Sequence, residues 1–447
     1  MKSFYLVILI LAFAISSFGQ SFDNAAAQAS LVSEFDVNGL KVILKNRPNS
    51  PTVAGGLFIR GGARNITEKN AGIESLMLAT AVEAGRAFPR QTVRRELSSR
   101  GSSINSGVTN DYSVVGLATT RKDFARVFDI FADVILNPTF AEEDVNRNRD
   151  LILTGLRESS SVPEAALETL QDRTIYAGHP YANAVNGTAA TIASLKSADL
   201  RAYHQKVMET SRLLLVIVGD VGELDPDRLK SKIAATFGKL PKGTYKDAPY
   251  PAINFSKGTL DTAQRALPTN YVKGVFAAPA MDNQDYYAMR VAIAILQALV
   301  HQEVRGRLQL SYAPDADMET LAANSANISV STTDPNAATA AMLAQIRILQ
   351  ERSLPPAIID EIASFFLTRH YMAQETSVAQ VREIALYELV GGGWRNSFQF
   401  LNRVREVKPA DIQAVANKYM KNLRFVVIGN PASIDRSIFI PAQTPVR

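Results

Sequence analysis

Apolar residues recur along this chain in two rhythms. Phe124, Val127, Phe128, Phe131 and Ile135 are spaced so that all five share one helical face, and Pro138 ends the run, so an amphipathic helix is expected there. Leu40 to Leu44 and Val53 to Ile59 are short β-rich apolar runs of strand character, and the pair Asn38-Gly39 places a turn before the first. Helices alternate irregularly with strands, which predicts an α+β fold with helices packed on one side of a largely antiparallel sheet.

The pattern also repeats. Lys196-Ser-Ala-Asp-Leu-Arg-Ala202, followed by Lys206 and Met208, returns 212 residues later as Lys408-Pro-Ala-Asp-Ile-Gln-Ala414, followed by Lys418 and Met420. Each copy runs into an apolar stretch closed by glycine, Leu213 to Gly219 and Phe425 to Gly429. Val114 to Thr120 and Ile328 to Thr333 form a second pair of landmarks, their last residues 213 positions apart. Two independent landmarks at nearly one spacing imply two homologous halves of about 210 residues, 30–240 and 257–440. Residues 241–256, rich in Pro, Gly and Lys at their start, suit an exposed linker.

Composition changes the picture in three places. The 447 residues are 47% hydrophobic and 20% charged, which excludes a disordered tail or a collagen-like fibre. The formal charge is +5, but the basic residues are scattered rather than gathered into a stripe, so no nucleic-acid partner is expected. The chain opens with Lys2, an apolar run from Phe4 to Ala14, and the small residues Ser17 and Gly19, the pattern of an export signal over residues 1–19 cleaved before Gln20. No other stretch approaches a membrane-spanning length, so no membrane embedding is expected. With no cysteine there is no disulfide, no thiolate metal site and no lipid-bearing cysteine, and a bacterial periplasmic location follows as the expectation.

Most common chemistries find no motif. There is no G-x-S-x-G elbow, no phosphate-binding G-x-x-x-x-G-K-[ST] loop and no dinucleotide-binding glycine pattern; Gly391-Gly392-Gly393 reads as a turn before Trp394. Four histidines, His179, His204, His301 and His370, lie far apart in sequence, and neither H-E-x-x-H nor its inverse can be written. No metal site of its own is expected in this chain.

Several segments nevertheless resemble the pitrilysin or insulinase-type zinc metallopeptidases, which include mitochondrial processing peptidase. Val37-Asn-Gly-Leu-Lys-Val-Ile-Leu44, Gly61-Gly62-Ala63-Arg64 and Asn70-Ala71-Gly72-Ile73 are similar to the family's first strands and the entry to its catalytic helix. Gly178-His-Pro-Tyr181, Asn186-Gly187-Thr188, Ile192 and the segment ending Val218-Gly219-Asp220 are similar to its most recognisable non-catalytic stretch. The resemblance covers roughly residues 30 to 435. In it His179 belongs to a turn away from the metal, with a local hydrogen-bonding role.

At the family's reaction centre the sequence departs. The register of its H-x-x-E-H motif reads Ser75-Leu76-Met77-Leu78-Ala79, and the position of its distal glutamate ligand falls on Gly155, or on Thr154 if the register slips by one. Serine, leucine, alanine and glycine supply no imidazole, carboxylate or general base. In the second half, Arg305-Gly-Arg-Leu-Gln-Leu-Ser-Tyr312 resembles the family's R-E-x-x-G-L-x-Y stretch, keeping Arg305 and Tyr312 and departing at Gly306 and Gln309. The resemblance implies a non-catalytic subunit. A homologous partner bearing H-x-x-E-H would carry the zinc, and this chain would lend Arg305 and Tyr312 to bind a peptide or unfolded segment. A stand-alone peptide-binding or scaffold protein is the alternative from another class. Unrelated chemistry at Ser75 has only Glu74 as a neighbouring base, and on a helix that side chain points elsewhere.

Overall fold

A computed structural model describes residues 24–221 and 226–440; the expected export signal lies outside the described residues. In the first half the strands are β1 (Val32–Val37), β2 (Leu40–Asn46), β3 (Thr52–Arg60), β4 (Ser103–Val108), β5 (Tyr112–Thr120) and β6 (Leu213–Gly219). They form one sheet in the order β1-β2-β6-β3-β5-β4, antiparallel except for the β2-β6 pair. The second half contributes β7 (Thr259–Gln264), β8 (Asn270–Ala277), β9 (Asp315–Met318), β10 (Ser325–Thr332) and β11 (Arg424–Gly429). Their order β7-β11-β8-β10-β9, with β7-β11 parallel, repeats the first sheet without its β1 edge. Both repeated segments end in corresponding places: helices Ser197–Val207 and Pro409–Tyr419 lead into β6 and β11.

The Asn38-Gly39 turn joins β1 to β2 with φ of 53° and 87°, the left-handed pair that matches the twist of a two-residue hairpin. The phenylalanine-rich helix runs from Phe124 to Leu136 and buries all five of its predicted apolar residues. Four of them, Phe124, Phe128, Phe131 and Ile135, share one core with Leu57, Val115, Leu117, Leu215 and Ile217 from one face of the first sheet. Full burial of each such side chain contributes roughly 1.5–3 kcal/mol.

Neighbouring residues on those strands point the other way and need a second cover. Ala54, Phe58, Leu214, Val216 and Val218 bury against Val381, Ile384 and Ala385 of helix Ser377–Val390, which belongs to the second half. The reciprocal contact is made by helix Pro163–Ile175 of the first half, whose Leu167 packs on Val426 and Ile428 of β11. Each sheet therefore has its own helices on one side and a helix from the other half on the second, which locks the halves together.

Residues 241–256 contain neither helix nor strand, yet they are pinned to the first half. The Tyr250 hydroxyl donates to the carbonyls of Gly61 and Asn110 at 2.8 and 2.7 Å, and Asp247 pairs with Arg60 and Arg64 at 3.0 and 3.2 Å. Ile253 and Phe255 are buried beside Tyr176, Tyr181 and Val275.

Candidate functional site

Helix Ile73–Ala81 begins at Gly72, whose φ is 82°. A Cβ there would stand 2.6 Å from the Gly187 Cα, so the Ala-Gly-Ile and Asn-Gly-Thr segments meet backbone to backbone. Ser75 and Ala79 are half-buried on this helix, and Leu78, 1% exposed, belongs to the apolar core with Leu76 and Met77. The helix packs directly on helix Glu142–Ser161, which carries Thr154 and Gly155. Both of those residues are exposed, and no atom lies within 4 Å of where a Gly155 Cβ would be.

The structure thus sets the helices bearing the predicted positions side by side, but their chemistry does not fit the zinc that the resemblance implies. One hydroxyl, two hydrocarbon side chains and a bare backbone position offer none of the imidazoles or carboxylates that zinc takes. Among the described residues, no group of three or more His, Cys, Asp and Glu is placed to hold a metal ion.

Glu74, next to Ser75, is turned inward and 3% exposed. It faces Ser113 of β5, Asn65 and Arg212, and burial pushes its carboxyl up from 4.5 to about 7. Its Oε1 has no hydrogen-bond partner among the described residues. A carboxyl aimed into the sheet cannot act as a base for Ser75.

Arg305 and Tyr312 are brought together. Helix Tyr286–Val300 continues into a π-helical turn, His301–Arg307, a widened geometry that re-aims side chains. Gln309 then takes a left-handed φ of 53° where the resembling family pattern has glycine. Leu310 N–H donates to the Val304 carbonyl at 2.9 Å, Ser311 Oγ to the Ser331 carbonyl at 2.7 Å, and Thr332 Oγ1 to the Leu310 carbonyl at 2.7 Å. The loop so tied to β10 stacks the Arg305 guanidinium 4.0 Å from the centre of the Tyr312 ring, and Tyr312 is 79% exposed. Arg305 Nη1 also lies 3.3 Å from His301 Nε2, while Arg307 pairs with Glu303 instead.

Sequence reasoning missed a contact that joins the halves beside the Gly-His-Pro-Tyr turn. The Tyr181 hydroxyl donates to buried Asp111 Oδ1, whose Oδ2 accepts the Ala322 N–H at 3.1 Å; Ala323 N–H donates to the Tyr181 hydroxyl at 3.2 Å. Burial raises the Asp111 carboxyl above its ordinary value. No sequence signal links residues so far apart, although the Tyr181 motif hinted at a structural role. His179 has the local role expected of it, its Nδ1 accepting the Tyr181 N–H at 3.1 Å and its Nε2 lying 3.0 Å from the Pro251 carbonyl.

Known proteins resemble this chain in sequence or in fold. The chain is 25% identical over 268 residues to cytochrome b-c1 complex subunit 1 of Bos taurus, covering 59% of this chain and 55% of that one. It is 23% identical over 269 residues to the mitochondrial-processing peptidase subunit beta of Saccharomyces cerevisiae, covering 58% and 56%. The matches thus span about half the length of these curated relatives. Among solved structures, a protease from Helicobacter pylori superposes with a TM-score of 0.80 at 17% identity, over 89% of this chain and 99% of that one. The first half of the periplasmic protease PqqL from Escherichia coli does so with 0.74 at 15%, over 93% and 98%. A family model described as insulinase (peptidase family M16) matches residues 41–189, and a second, described as the peptidase M16 inactive domain, matches residues 194–365. With matches that together run from residue 41 to residue 365, the chain belongs to the insulinase-type M16 peptidase family.

Proposed function

We propose that this chain is the non-catalytic subunit of a two-chain zinc peptidase of the periplasm, paired with a homologous subunit that bears H-x-x-E-H. The observation that carries this reading is the Arg305 guanidinium stacked on exposed Tyr312, held on a structured turn in a chain whose helix Ile73–Ala81 has no metal donor at Ser75, Leu78 or Ala79. Such a pair has donors for a peptide backbone and little local work: the guanidinium and the phenol can hydrogen-bond a scissile carbonyl and stabilise the oxyanion that develops on it. The partner's zinc would supply the activated water. An extended peptide or unfolded segment is the substrate class, since backbone recognition needs an accessible strand. The amino-terminal export pattern and the likeness to a protein described as a periplasmic protease support the location.

Native co-purification, with metal analysis of each separated chain, tests the reading. A zinc-bearing homologue should accompany this chain, and Arg305→Ala and Tyr312→Phe should lower turnover of the pair. Stoichiometric zinc and peptidase activity in this chain alone would overturn it. A partner whose turnover is the same with and without this chain would instead mark a peptide-binding scaffold.

A further inference from the structure

A cavity of about 360 Å³ opens between the halves, lined by neither Ser75, Leu78, Ala79 and Gly155 nor Arg305 and Tyr312. Its walls come from helix Asn24–Ser30, the end of β2, and the second-half helices Ala357–Ala373, Ser377–Val390 and Arg395–Glu406. Lys45 alternates with Lys41 and Ile43 on the β2 face that looks toward the second half, and it is only 2% exposed. Among the described residues, no carboxylate lies within ion-pair distance of its ammonium and no acceptor bonds it; Glu383 acts on it only through space, Arg47 opposes its charge, and the Phe398 ring lies 4.9 Å away. A buried ammonium without a hydrogen-bonded anion is costly, and burial lowers the Lys45 amine to about 8. Gln380 lines the same cavity, 6% exposed, and its Oε1 has no donor among the described residues, although its Nε2 donates to the Gln374 carbonyl at 2.6 Å. Leu31, Phe398 and Leu401 supply an apolar wall. His370 completes it, with Glu383 behind at 3.9 Å.

We propose that this cavity binds a small carboxylate with an apolar body and one N–H donor, the chemistry shared by a free apolar amino acid and the C-terminal residue of a peptide. The carboxylate pairs with Lys45, the N–H meets Gln380 Oε1, and the apolar body lies against Leu31, Phe398 and Leu401. Each of these polar groups then gains a direct hydrogen-bonding partner, a charge-assisted one at Lys45. Because Lys45 belongs to the first half and Gln380 to the second, occupancy also bridges the halves.

Calorimetric titration of the full chain with leucine, alanyl-leucine and leucinamide tests this, with thermal melts in parallel. Leucine or alanyl-leucine should bind and raise the melting temperature, while leucinamide, lacking the carboxylate, should bind about tenfold more weakly or worse. Binding by leucine alone identifies a free amino acid as the source, and binding by alanyl-leucine a peptide end. Lys45→Met, which replaces the ammonium by a similar apolar shape, should abolish the heat, and Gln380→Leu should weaken binding about tenfold. Equal binding of leucinamide to the wild-type chain, or no heat with any carboxylate up to about 10 mM, overturns the proposal without reference to any variant. Undiminished binding by a folded Lys45→Met chain overturns it as well.

Discussion

In the first half a glycine stands where the backbone makes no demand for one, whereas in the second a turn that favours glycine does without it. Gly155 lies inside helix Glu142–Ser161 with open space around its missing Cβ. Gln309 holds a φ of 53°, a conformation that costs an ordinary residue about 1–2 kcal/mol. The helices carrying Ser75, Leu78, Ala79 and Gly155 pack directly on each other, and none of these four residues is a metal donor. Around Arg305 and Tyr312 the local backbone geometry persists against its steric cost. Under the function proposed above, the packed helices of the first half serve as architecture, and the strained turn around Arg305 and Tyr312 serves the substrate.

The largest expected effect would break that contrast outright. In the reconstituted pair, Arg305→Ala should lower kcat/KM by about 100-fold and Tyr312→Phe by about tenfold, the scale for losing an oxyanion donor. Ser75→Ala should leave turnover unchanged. Steady-state kinetics on a peptide substrate reads all three, and a Ser75→Ala defect as deep as that of Arg305→Ala would erase the difference between the halves.

Next in size is a test of how closed the first half has become. Leu78 is embedded in the core, so Leu78→Glu buries a carboxyl with no partner in place of packed hydrocarbon and should cost about 4 kcal/mol in urea unfolding. A tolerated substitution would mean that there is polar space around Leu78.

Glu74 sharpens the same point through pH. Its native carboxyl titrates near 7 against 4.5 when unperturbed, so the native state holds a proton that the unfolded chain releases between those values. Its contribution is full below about pH 4.5 and is lost as pH rises through 7, a swing of about 3 kcal/mol at 1.4 kcal/mol per pH unit. Glu383, also raised to about 7, slopes the same way, so Glu74→Gln should flatten the dependence without removing it. Urea unfolding of both chains at pH 5 and pH 8 captures most of that swing, about 2.5 kcal/mol less loss in the variant. An unchanged slope would place the Glu74 carboxyl in solvent contact.

The features legible in sequence were those whose information is local or repeated. The helix from Phe124 and the Asn38-Gly39 hairpin rest on near-neighbour periodicity and turn chemistry, and the recurring Lys-x-Ala-Asp segments located corresponding strands in two sheets. The exchanged helices were not legible, because an apolar stripe such as that bearing Leu167 says that a sheet is covered without saying whose sheet. The same limit hid the Asp111–Tyr181–Ala323 contact and the burial of Lys45 between the halves, which in sequence is one more polar residue in a strand. At the candidate site, a role for Arg305 and Tyr312 came only from the family resemblance; that the two side chains stack, and that a π-helical turn and a left-handed Gln309 set them there, is legible only in three dimensions.

The smallest effects are the most direct measure of the contrast, because they exchange its two terms. Gly155→Ala adds a methyl group into open space within a helix and reduces the freedom of the unfolded chain, so stability should rise by about 0.5–1 kcal/mol. Gln309→Gly relieves left-handed strain of about 1–2 kcal/mol but loosens the unfolded chain by about 0.4–1, leaving a gain of roughly 0.5. Chemical denaturation of the isolated chain should therefore find both variants stabilised, and for opposite reasons. Turnover of the assembled pair then separates them. Gly155→Ala should leave it unchanged, whereas Gln309→Gly frees the turn that aims Tyr312 and should lower kcat/KM by about two- to fivefold despite the added stability. Were Gly155→Ala the variant that lowered turnover, the glycine would be leaving room for something that enters the first half, and the frame there would have a use after all.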